Sequence, residues 1–241
     1  MFTLEVCVDS VAGLQACIEG GADRIELCSA LPLGGLTPSE GMMRLAAGCP
    51  LPVSAMVRPR DGDFYFSETE IELMCDDIHT VAHTGIDGVV LGAANTDNTL
   101  NCTALEKMAA AADGLSKTLH RVIDTLENPL PALEQAIELG FERILTSGGA
   151  PGVGEGTEQL TQLHRAARGR IEIIAGAGLA PELLQAIADC GIRSFHSSCS
   201  SIRPMDQRLV SLGFSSARHP ETDVNLIKTY KSRFNTITLQ E

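Results

Sequence analysis

Short apolar segments alternate along this chain with longer segments of helical pattern. The short segments are rich in Ile, Val and Leu, as expected for parallel strands that are covered by helices. Eight segments are predicted to be strands: Thr3–Val8, Arg24–Cys28, Val53–Arg58, Gly88–Leu91, Lys117–His120, Arg143–Thr146, Glu172–Ala175 and Arg193–His196.

Helix boundaries fall between the predicted strands. Gly20 and Gly21 end the first helix. Thr37–Glu40 has the pattern of a capping box with proline at the first helical position, and Ser67–Glu70 is a second capping box. Strand–helix alternation with short connections predicts parallel βαβ units.

One local design recurs: a glycine closes a helix, a polar residue turns the chain, and a strand follows. Eight units in a chain of 241 residues predict an α/β fold, a closed TIM-type (β/α)8 barrel with a C-terminal extension. An open doubly wound sheet is the alternative. The four clearest copies of the design are residues 21–25, 85–89, 140–144 and 191–195.

The C-terminal part of the chain has a different pattern. We assign residues 1–200 to the barrel and residues 201–241 to an extension that packs on the barrel or on a second subunit. The first half of this extension, with Pro204 and Pro220, is predicted to be loop. Val224–Phe234 is predicted to be a helix.

Composition narrows the set of partners. The net charge is −13 and no cluster of Lys and Arg is visible, so we expect no nucleic-acid partner. No apolar run approaches the length of a membrane span, and no basic and apolar leader precedes the first strand. None of the 8 cysteines forms a C-x-x-C pair, which argues against a structural zinc site and for free thiols. We expect a cytoplasmic protein without membrane association.

Polar residues gather where the predicted strands end, which is where TIM-type barrels carry their sites. On the first strand Glu5 and Cys7 share one face, and on the second strand Glu26 and Cys28 do. Their convergence predicts a functional site; the alternative is an ion-pair network that only fills the barrel. The candidate catalytic residues are Glu5, Glu26, Arg58, His120, Arg121, Asp124 and His196.

Two glycine-rich loops follow the sixth and seventh predicted strands. Barrels often bind phosphate through loops after their last strands and a helix N-terminus. Glycine also occurs in ordinary tight turns, so this pattern alone is compatible with either an anion site or a simple turn. The candidate anion-binding residues are Ser147, Gly148, Gly149, Gly176, Gly178, Ser197 and Ser198.

Two pairs of residues have spacing that suits metal ligands. His79 and His83 lie on one predicted outer helix, but no third ligand is evident and we expect a solvated surface. Cys7 and Cys28 end neighbouring strands, and two thiolates suit a soft ion such as Cu(I). Alternatively, both cysteines are small apolar residues that fill space.

Six motifs in order along residues 4 to about 200 resemble those of the CutC family. They are LEVCVDS at 4–10, GADRIELC at 21–28, GGLTPS at 34–39, VRPRDGDF at 57–64, LTSGG at 145–149 and HSS at 196–198. The resemblance implies a TIM-type barrel, a cytoplasmic homodimer, a role in copper homeostasis, and Cu(I) binding by Cys7 and Cys28. The family's His-Arg-Ala-Phe-Asp reads HRVID at 120–124 here, and its common Gly-Gly-Gly reads GAG at 176–178.

Two hypotheses about function follow, and the first is a binding protein. In it Cys7 and Cys28 hold Cu(I), and Met56 or a histidine is a third ligand. A divalent ion such as Ca²⁺ or Mg²⁺ on the carboxylates is a further alternative.

The second hypothesis is an enzyme that acts on a small anionic or phosphorylated molecule by isomerisation, lyase chemistry or hydrolysis. Glu5 and Glu26 are its acid and base, since neighbouring carboxylates often have divergent pKa values. His120 transfers protons, and Arg58 and Arg121 hold the anion.

Overall fold

Eight parallel strands close into a barrel in chain order, each paired with the next and the eighth paired with the first. The structure is a computed structural model that describes residues 1–238. The predicted TIM-type barrel is confirmed, and the pairing of the eighth strand with the first excludes the open sheet. The strands are β1 Thr3–Val8, β2 Arg24–Leu27, β3 Val53–Met56, β4 Gly88–Leu91, β5 Ser116–Leu119, β6 Arg143–Thr146, β7 Glu172–Ala175 and β8 Ser194–Ser197.

Helices follow the strands and form the outer layer. They are α1 Val11–Gly20, α2 Glu40–Ala46, α3 Glu68–Thr84, α4 Cys102–Ala111, α5 Pro129–Glu138, α6 Thr157–Ala167 and α7 Leu184–Asp189. Ser67 and Glu70 form the predicted capping box at the start of α3. Ser39 caps α2 in place of the predicted Thr37. The hydroxyl of Thr37 is bonded instead to the backbone of Arg58, where it donates to the carbonyl and accepts from the N–H.

The hydrophobic core lies between the barrel and the helices, whereas the inside of the barrel is largely polar. Four inward-facing charged residues, Glu5, Arg24, Arg143 and Glu172, form what we call the barrel floor. Arg24 Nε donates to Glu5 Oε2 at 2.5 Å, and its Nη2 donates to Glu172 Oε1 at 3.4 Å. Arg143 Nε donates to Thr118 Oγ1 at 2.9 Å. Each charge of the floor therefore has hydrogen-bond partners inside the barrel.

The segment after β8 contains strands where the sequence predicts loop. β9 Ser200–Pro204 and β10 Arg218–Thr222 form a two-stranded antiparallel sheet, and the short helix α8 Gln207–Ser211 lies between them. Pro204 and Pro220 are compatible with this sheet because both of its strands are edge strands, where a proline need not donate a hydrogen bond.

The last helix, α9, spans Val224–Phe234 as predicted and packs against α1. The contact is close at Gly20, where a Cβ would lie 2.6 Å from Ile227. α9 thereby takes the place of an eighth outer helix of the barrel. Residues 239–241 of the predicted extension lie outside the described residues. Among the helices of the described chain, none has the length and apolar character needed to cross a membrane.

Candidate functional site

A cavity of about 400 Å³ opens at the carboxyl-terminal ends of the barrel strands. Four side chains in its wall carry a carboxyl, guanidinium or imidazole group and are exposed by 8% or less. These are Glu26, Arg58, His120 and His196, and we call them the mouth residues. The wall also contains the polar residues Cys7, Arg121, Ser197 and Ser198 and the apolar residues Leu31, Leu33, Met56, Phe64, Leu145 and Leu179. The cavity is at the end of the barrel where such folds carry their sites.

The structure brings most of the predicted catalytic residues to this cavity. The mouth residues and Arg121 line it. Glu5 and Asp124 lie behind the wall, and each is hydrogen-bonded to a lining residue, Glu5 to His196 and Asp124 to Arg121. These two carboxylates therefore act on the cavity through the side chains that they hold.

His196 lies between two glutamates. Its Nδ1 donates to Glu5 Oε1 at 2.8 Å, and its Nε2 lies 3.8 Å from Glu26 Oε2. Burial by itself lowers the pKa of His196, but the neighbouring Cys7 and Glu26 and the bond to Glu5 raise it well above 6.5. The imidazolium is therefore the favoured form of His196, and it is a proton donor in the cavity wall.

The two glutamates have different surroundings. Burial raises the pKa of Glu5, but the hydrogen bond from His196 and the charge of Arg24 outweigh burial and lower the pKa to about 2. Burial also raises the pKa of Glu26, and although His196 opposes this, the charge of Glu5 adds to it and the pKa stays raised. Glu5 is held as a carboxylate, whereas Glu26 keeps a proton more readily. Because their pKa values diverge, Glu26 is suited to act as an acid and Glu5 as a base.

Cys7 lies in a cluster of atoms that can bind a metal ion. Cys7 Sγ, a Glu26 carboxylate oxygen and a His196 ring nitrogen are all within 4.8 Å of one another. Glu5 orients His196 through Nδ1, as carboxylates commonly do for histidine ligands. Cys28, the other predicted metal ligand, donates to Glu26 Oε2 at 3.5 Å. Burial raises the pKa of Cys28 well above 9.0, which favours the neutral thiol.

Arg58 is held by backbone carbonyls. Its Nη1 donates to Leu33 O at 2.8 Å and to Gly35 O at 3.2 Å, and its Nη2 donates to Gly62 O at 3.1 Å. Burial lowers the pKa of Arg58. Within residues 1–238 the guanidinium makes no ion pair, so its positive charge is not compensated by direct contact with a carboxylate.

His120 has a defined tautomer. Its Nδ1 accepts from Val122 N at 3.1 Å, which leaves the ring proton on Nε2. Burial and the charge of Arg58 lower the pKa of His120 to about 3, so the ring is neutral at physiological pH. The ring packs on Phe64, with centroids 4.8 Å apart, and Arg58 Cζ lies 5.1 Å from the same Phe64 ring. We did not predict Phe64 as a site residue, although it ends the motif at 57–64.

The mouth residues contain all of the buried side-chain N and O atoms that have no hydrogen-bond partner within residues 1–238. They are Glu26 Oε1, Arg58 Nε and His120 Nε2. Such atoms are uncommon in folded proteins, since each costs about 1–3 kcal/mol when it is left unpaired. All three atoms belong to residues that line this one cavity.

The glycine-rich loop after β6 surrounds a carboxylate of the protein itself. Asp124 accepts from Ser147 N at 3.0 Å, from Ser147 Oγ at 3.0 Å and from Gly149 N at 3.0 Å. Gly148, between them, donates to a threonine hydroxyl at 2.9 Å. Arg121 Nε closes the group with a bond of 2.8 Å to Asp124. Of the donors that the sequence suggested for a bound anion, those of Ser147 and Gly149 are therefore engaged by Asp124, and that of Gly148 by the threonine.

The other predicted anion-binding residues lie at or just behind the cavity wall. Gly178, Ser197 and Ser198 line the cavity. Ser197 Oγ donates to Tyr230 Oη at 3.3 Å, and Ser198 Oγ is bonded to another serine hydroxyl at 2.9 Å. Gly176 N donates to a carbonyl of β6 at 3.0 Å. The two serines therefore have partners within the protein as well as a position on the cavity.

The histidine pair on α3 lies away from the cavity. His79 and His83 are both exposed on the outer helix. His83 Nδ1 lies 2.6 Å from the carbonyl oxygen of His79 and donates to it. This arrangement fits the solvated surface that the sequence predicts.

A closed parallel barrel with a buried acid–histidine cluster at the carboxyl-terminal strand ends defines a protein of the TIM-barrel class. A model of the CutC family matches residues 2–201. The chain belongs to the CutC family, as the motifs in its sequence suggested.

Relatives in this family match nearly the whole chain. A CutC family protein of Rhizobium meliloti (strain 1021) is 46% identical over 235 residues, which cover 97% of this chain and 96% of the relative. One of Agrobacterium fabrum is 48% identical over 232 residues, which cover 95% and 92%.

Solved structures agree with the family and the fold assigned to this chain. A Streptococcus agalactiae protein described as a copper homeostasis protein CutC is 30% identical, has a TM-score of 0.77, and matches over 82% of this chain and 99% of its own. A thiamine phosphate pyrophosphorylase from Pyrococcus furiosus is 12% identical with a TM-score of 0.60, over 98% of this chain and 96% of its own. The second likeness concerns the fold alone.

Proposed function

We propose that this protein acts in copper homeostasis and binds Cu(I) in the cavity at the end of the barrel. Family membership supports the role, since the Streptococcus agalactiae relative is described as a copper homeostasis protein. The observation that carries the binding site is the cluster of Cys7 Sγ, a Glu26 oxygen and a His196 nitrogen within 4.8 Å of one another. Thiolate and imidazole are ligands that copper accepts readily.

Cys7 is the central ligand of the proposed site because it lines the cavity. The second ligand is Cys28, as the family resemblance implies, or His196, which Glu5 already orients and which must first lose the proton of its imidazolium form. Cys28 must lose its proton to bind the ion, and its buried position opposes that loss. Copper binding through Cys28 is therefore expected to weaken as the pH falls.

Titration of the reduced protein with Cu(I) against a strong competing chelator tests this proposal. Cys7→Ser is expected to lower the affinity by about a hundredfold, since it removes a thiolate ligand. Cys102→Ser is the matched control, because Cys102 is a free cysteine at the start of the outer helix α4. Comparison of Cys28→Ser with His196→Asn then identifies the second ligand. Unchanged affinity in the Cys7→Ser, Cys28→Ser double variant would contradict the proposal.

A separate observation supports a second function, that of an enzyme acting on a small anionic molecule. The copper cluster leaves the unpartnered atoms Arg58 Nε and His120 Nε2 without a role. Glu26 and Glu5, whose pKa values diverge, and the protonated His196 are suited to proton transfer. Binding of small anions to the purified chain tests this function, and failure of every anion to bind would contradict it.

A further inference from the structure

Cys7, Glu5 and His196 lie side by side on two neighbouring strands of the barrel. Glu5 on β1 is the Cα partner of His196 on β8. Cys7 comes two residues after Glu5, so it faces the same way, and its own Cα partner is Glu26 on β2. Because these residues belong to adjacent strands and not to loops, the closed sheet fixes their positions relative to one another.

His196 connects a carboxylate to the sulfur of Cys7. Its Nδ1 donates to Glu5 Oε1 at 2.8 Å, which holds the ring in one orientation. Nε2, on the other side of the ring, lies 3.8 Å from Glu26 Oε2. Cys7 Sγ lies within 4.8 Å of a ring nitrogen of His196, and Nε2 is the nitrogen that Glu5 leaves free. A nucleophile, a base beside it and a third group that orients the base form the arrangement by which covalent catalysis is recognised.

Cys7 is also the nucleophile that is accessible from the cavity. It lines the cavity and is 7% exposed, whereas Cys28 is 1% exposed and donates to a carboxyl group. Ser197 and Ser198 line the cavity too, but their hydroxyl groups are bonded to other hydroxyl groups and not to a histidine. Within residues 1–238 no lysine lines the wall. Cys7 therefore combines access to the cavity with a neighbouring base.

The charges around Cys7 suit a thiolate. His196 favours its imidazolium form, and a cation beside a cysteine stabilises the thiolate, which is the reactive form. Arg58 adds positive charge to the same wall. Burial raises the pKa of Glu26, which therefore keeps a proton more readily and repels the thiolate less. The same positive charges stabilise the oxyanion that forms when a thiolate attacks a carbonyl group.

These charges and the rest of the wall indicate the class of substrate. Arg58 and the imidazolium of His196 repel a cationic substrate such as an amidine. Leu31, Leu33 and Met56 offer apolar surface to a short aliphatic chain. The cavity volume of about 400 Å³ falls within the range of small-molecule sites. A neutral ester with a short acyl chain meets these conditions.

We infer that Cys7 is a nucleophile that attacks the carbonyl carbon of a small carboxylic ester, with His196 as its acid and base. Attack forms a C–S bond and breaks the C–O bond of the ester, and His196 gives its proton to the departing alcohol. Water then attacks the thioester, and His196 takes a proton from this water. The C–S bond breaks, which returns the thiolate and releases a carboxylic acid that ionises in solution.

This inference rests on the second function proposed above, that of an enzyme, and names its nucleophile and its reaction. The reaction is the hydrolysis of an ester, and its product is a small anion. Cu(I) at Cys7 would occupy the same sulfur, so the tests use reduced protein that has been treated with a copper chelator.

Alkylation of the full-length protein by iodoacetamide at pH 7.5, followed at each cysteine by mass spectrometry, tests the nucleophile. Cys190 is the matched control within the same molecule, because it is 9% exposed and its Sγ donates to Ala186 O at 3.3 Å. Cys7 is expected to react at least about tenfold faster than Cys190, since it has a histidine beside it. This comparison needs no variant, and equal rates would overturn the inference.

Reaction with p-nitrophenyl butyrate tests the substrate class. A burst of about one nitrophenolate per chain is expected, with a butyryl group on Cys7 in the mass spectrum. Cys7→Ala should abolish the burst, and His196→Asn should slow it at least about a hundredfold, since it removes the acid and base. Cys190→Ala is the control and should react as wild type does.

The outcomes separate this inference from the functions on which it depends. Rapid alkylation of Cys7 without acylation by the ester overturns the ester assignment, as does release of nitrophenolate from p-nitrophenyl phosphate alone. Small anions that bind while Cys7 reacts no faster than Cys190 overturn the nucleophile and leave the small-anion function in place. Cu(I) titration of untreated protein reports on the copper site separately.

Discussion

The floor and the mouth of the barrel contain the same kinds of side chain, but they differ in how those side chains are paired. Glu5 of the floor and Glu26 of the mouth are 1% and 3% exposed. Both oxygens of Glu5 accept hydrogen bonds, one from Arg24 and one from His196. Glu26 Oε1 has no partner among the described residues.

This difference is one of pairing and not of burial. Charged groups inside a barrel are tolerated when each is paired, and the floor then serves to fill and hold the barrel. The mouth instead keeps unpaired atoms, each at a cost in free energy of about 1–3 kcal/mol. Burial alone does not distinguish these cases, because it is nearly equal for Glu5 and Glu26.

The largest expected effect is the difference in the free energy of unfolding between Glu5→Gln and Glu26→Gln. The fall in pKa of Glu5 from 4.5 to about 2 corresponds to about 3 kcal/mol of stability at neutral pH. Glu5→Gln is therefore expected to lower the free energy of unfolding by about 3 kcal/mol. Glu26→Gln is expected to lie within about 1 kcal/mol of wild type or above it, since the raised pKa shows that the charged form is disfavoured.

Urea unfolding of both variants at pH 7.5 measures this difference. The deficit of Glu5→Gln should shrink as the pH falls from 4.5 towards 2, where the wild-type carboxylate gains its proton. Equal destabilisation by the two substitutions would show that the floor and the mouth are not distinct.

The next largest effect is a loss of folding stability at acid pH that is caused by His120. Its pKa falls from 6.5 in the unfolded chain to about 3 in the fold, through burial and the charge of Arg58, with Asp124 opposing. The unfolded state therefore binds a proton below pH 6.5 that the folded state excludes, and stability falls. Between pH 7.5 and 5 this loss amounts to about 2 kcal/mol, which His120→Asn should not show.

Comparison of the free energy of unfolding against pH for wild type and His120→Asn isolates the contribution of His120. Glu26, whose pKa is raised, acts with the opposite sign in this range, but it is present in both proteins. His196 contributes above pH 6.5, because its pKa is raised. His79→Asn, at an exposed position on α3, is the control and should follow wild type. Parallel profiles for His120→Asn and wild type would refute the assignment.

The smallest expected effect is at Ala177 of the cavity wall, a residue with a φ of +76°. This left-handed conformation costs an L-residue about 1–2 kcal/mol, and glycine avoids that cost at an entropic penalty of about 0.5–1 kcal/mol. Ala177→Gly is therefore expected to stabilise the protein by about 0.5–1 kcal/mol. Ala180→Gly, at a φ of −121°, is the control and should be destabilising. Thermal unfolding of both compares them, and a loss in Ala177→Gly would show that the wall holds no backbone strain.

Much of the barrel and of its cavity could be predicted from the sequence, because strands have a period of two. That period places Glu5 and Cys7 on one face of β1, and parallel strands bring their carboxyl-terminal ends together. The same reasoning correctly placed Glu26, Arg58, His120 and His196 around one cavity.

Pairing within the cavity could not be predicted in this way. Cys28 shares a face with Glu26, but only the packed structure shows that it donates to that carboxyl group. The glycine-rich loop has the sequence of an anion site, and Asp124, 23 residues before Ser147, takes its donors. The strands β9 and β10 were not predicted either, because prolines are typical of loops. Proline is compatible with a strand at the edge of a sheet, and only the structure shows that both strands are edges.

The sequence by itself determined the class of the fold, the membership of the CutC family and the polar side chains that gather at the carboxyl-terminal ends of the strands, since these depend on local periodicity and on motifs. Only the tertiary structure decided which of those side chains are paired. Hydrogen bonds between Glu5 and Arg24, or between Asp124 and Ser147, join residues on different elements, and their distances are set when the barrel closes.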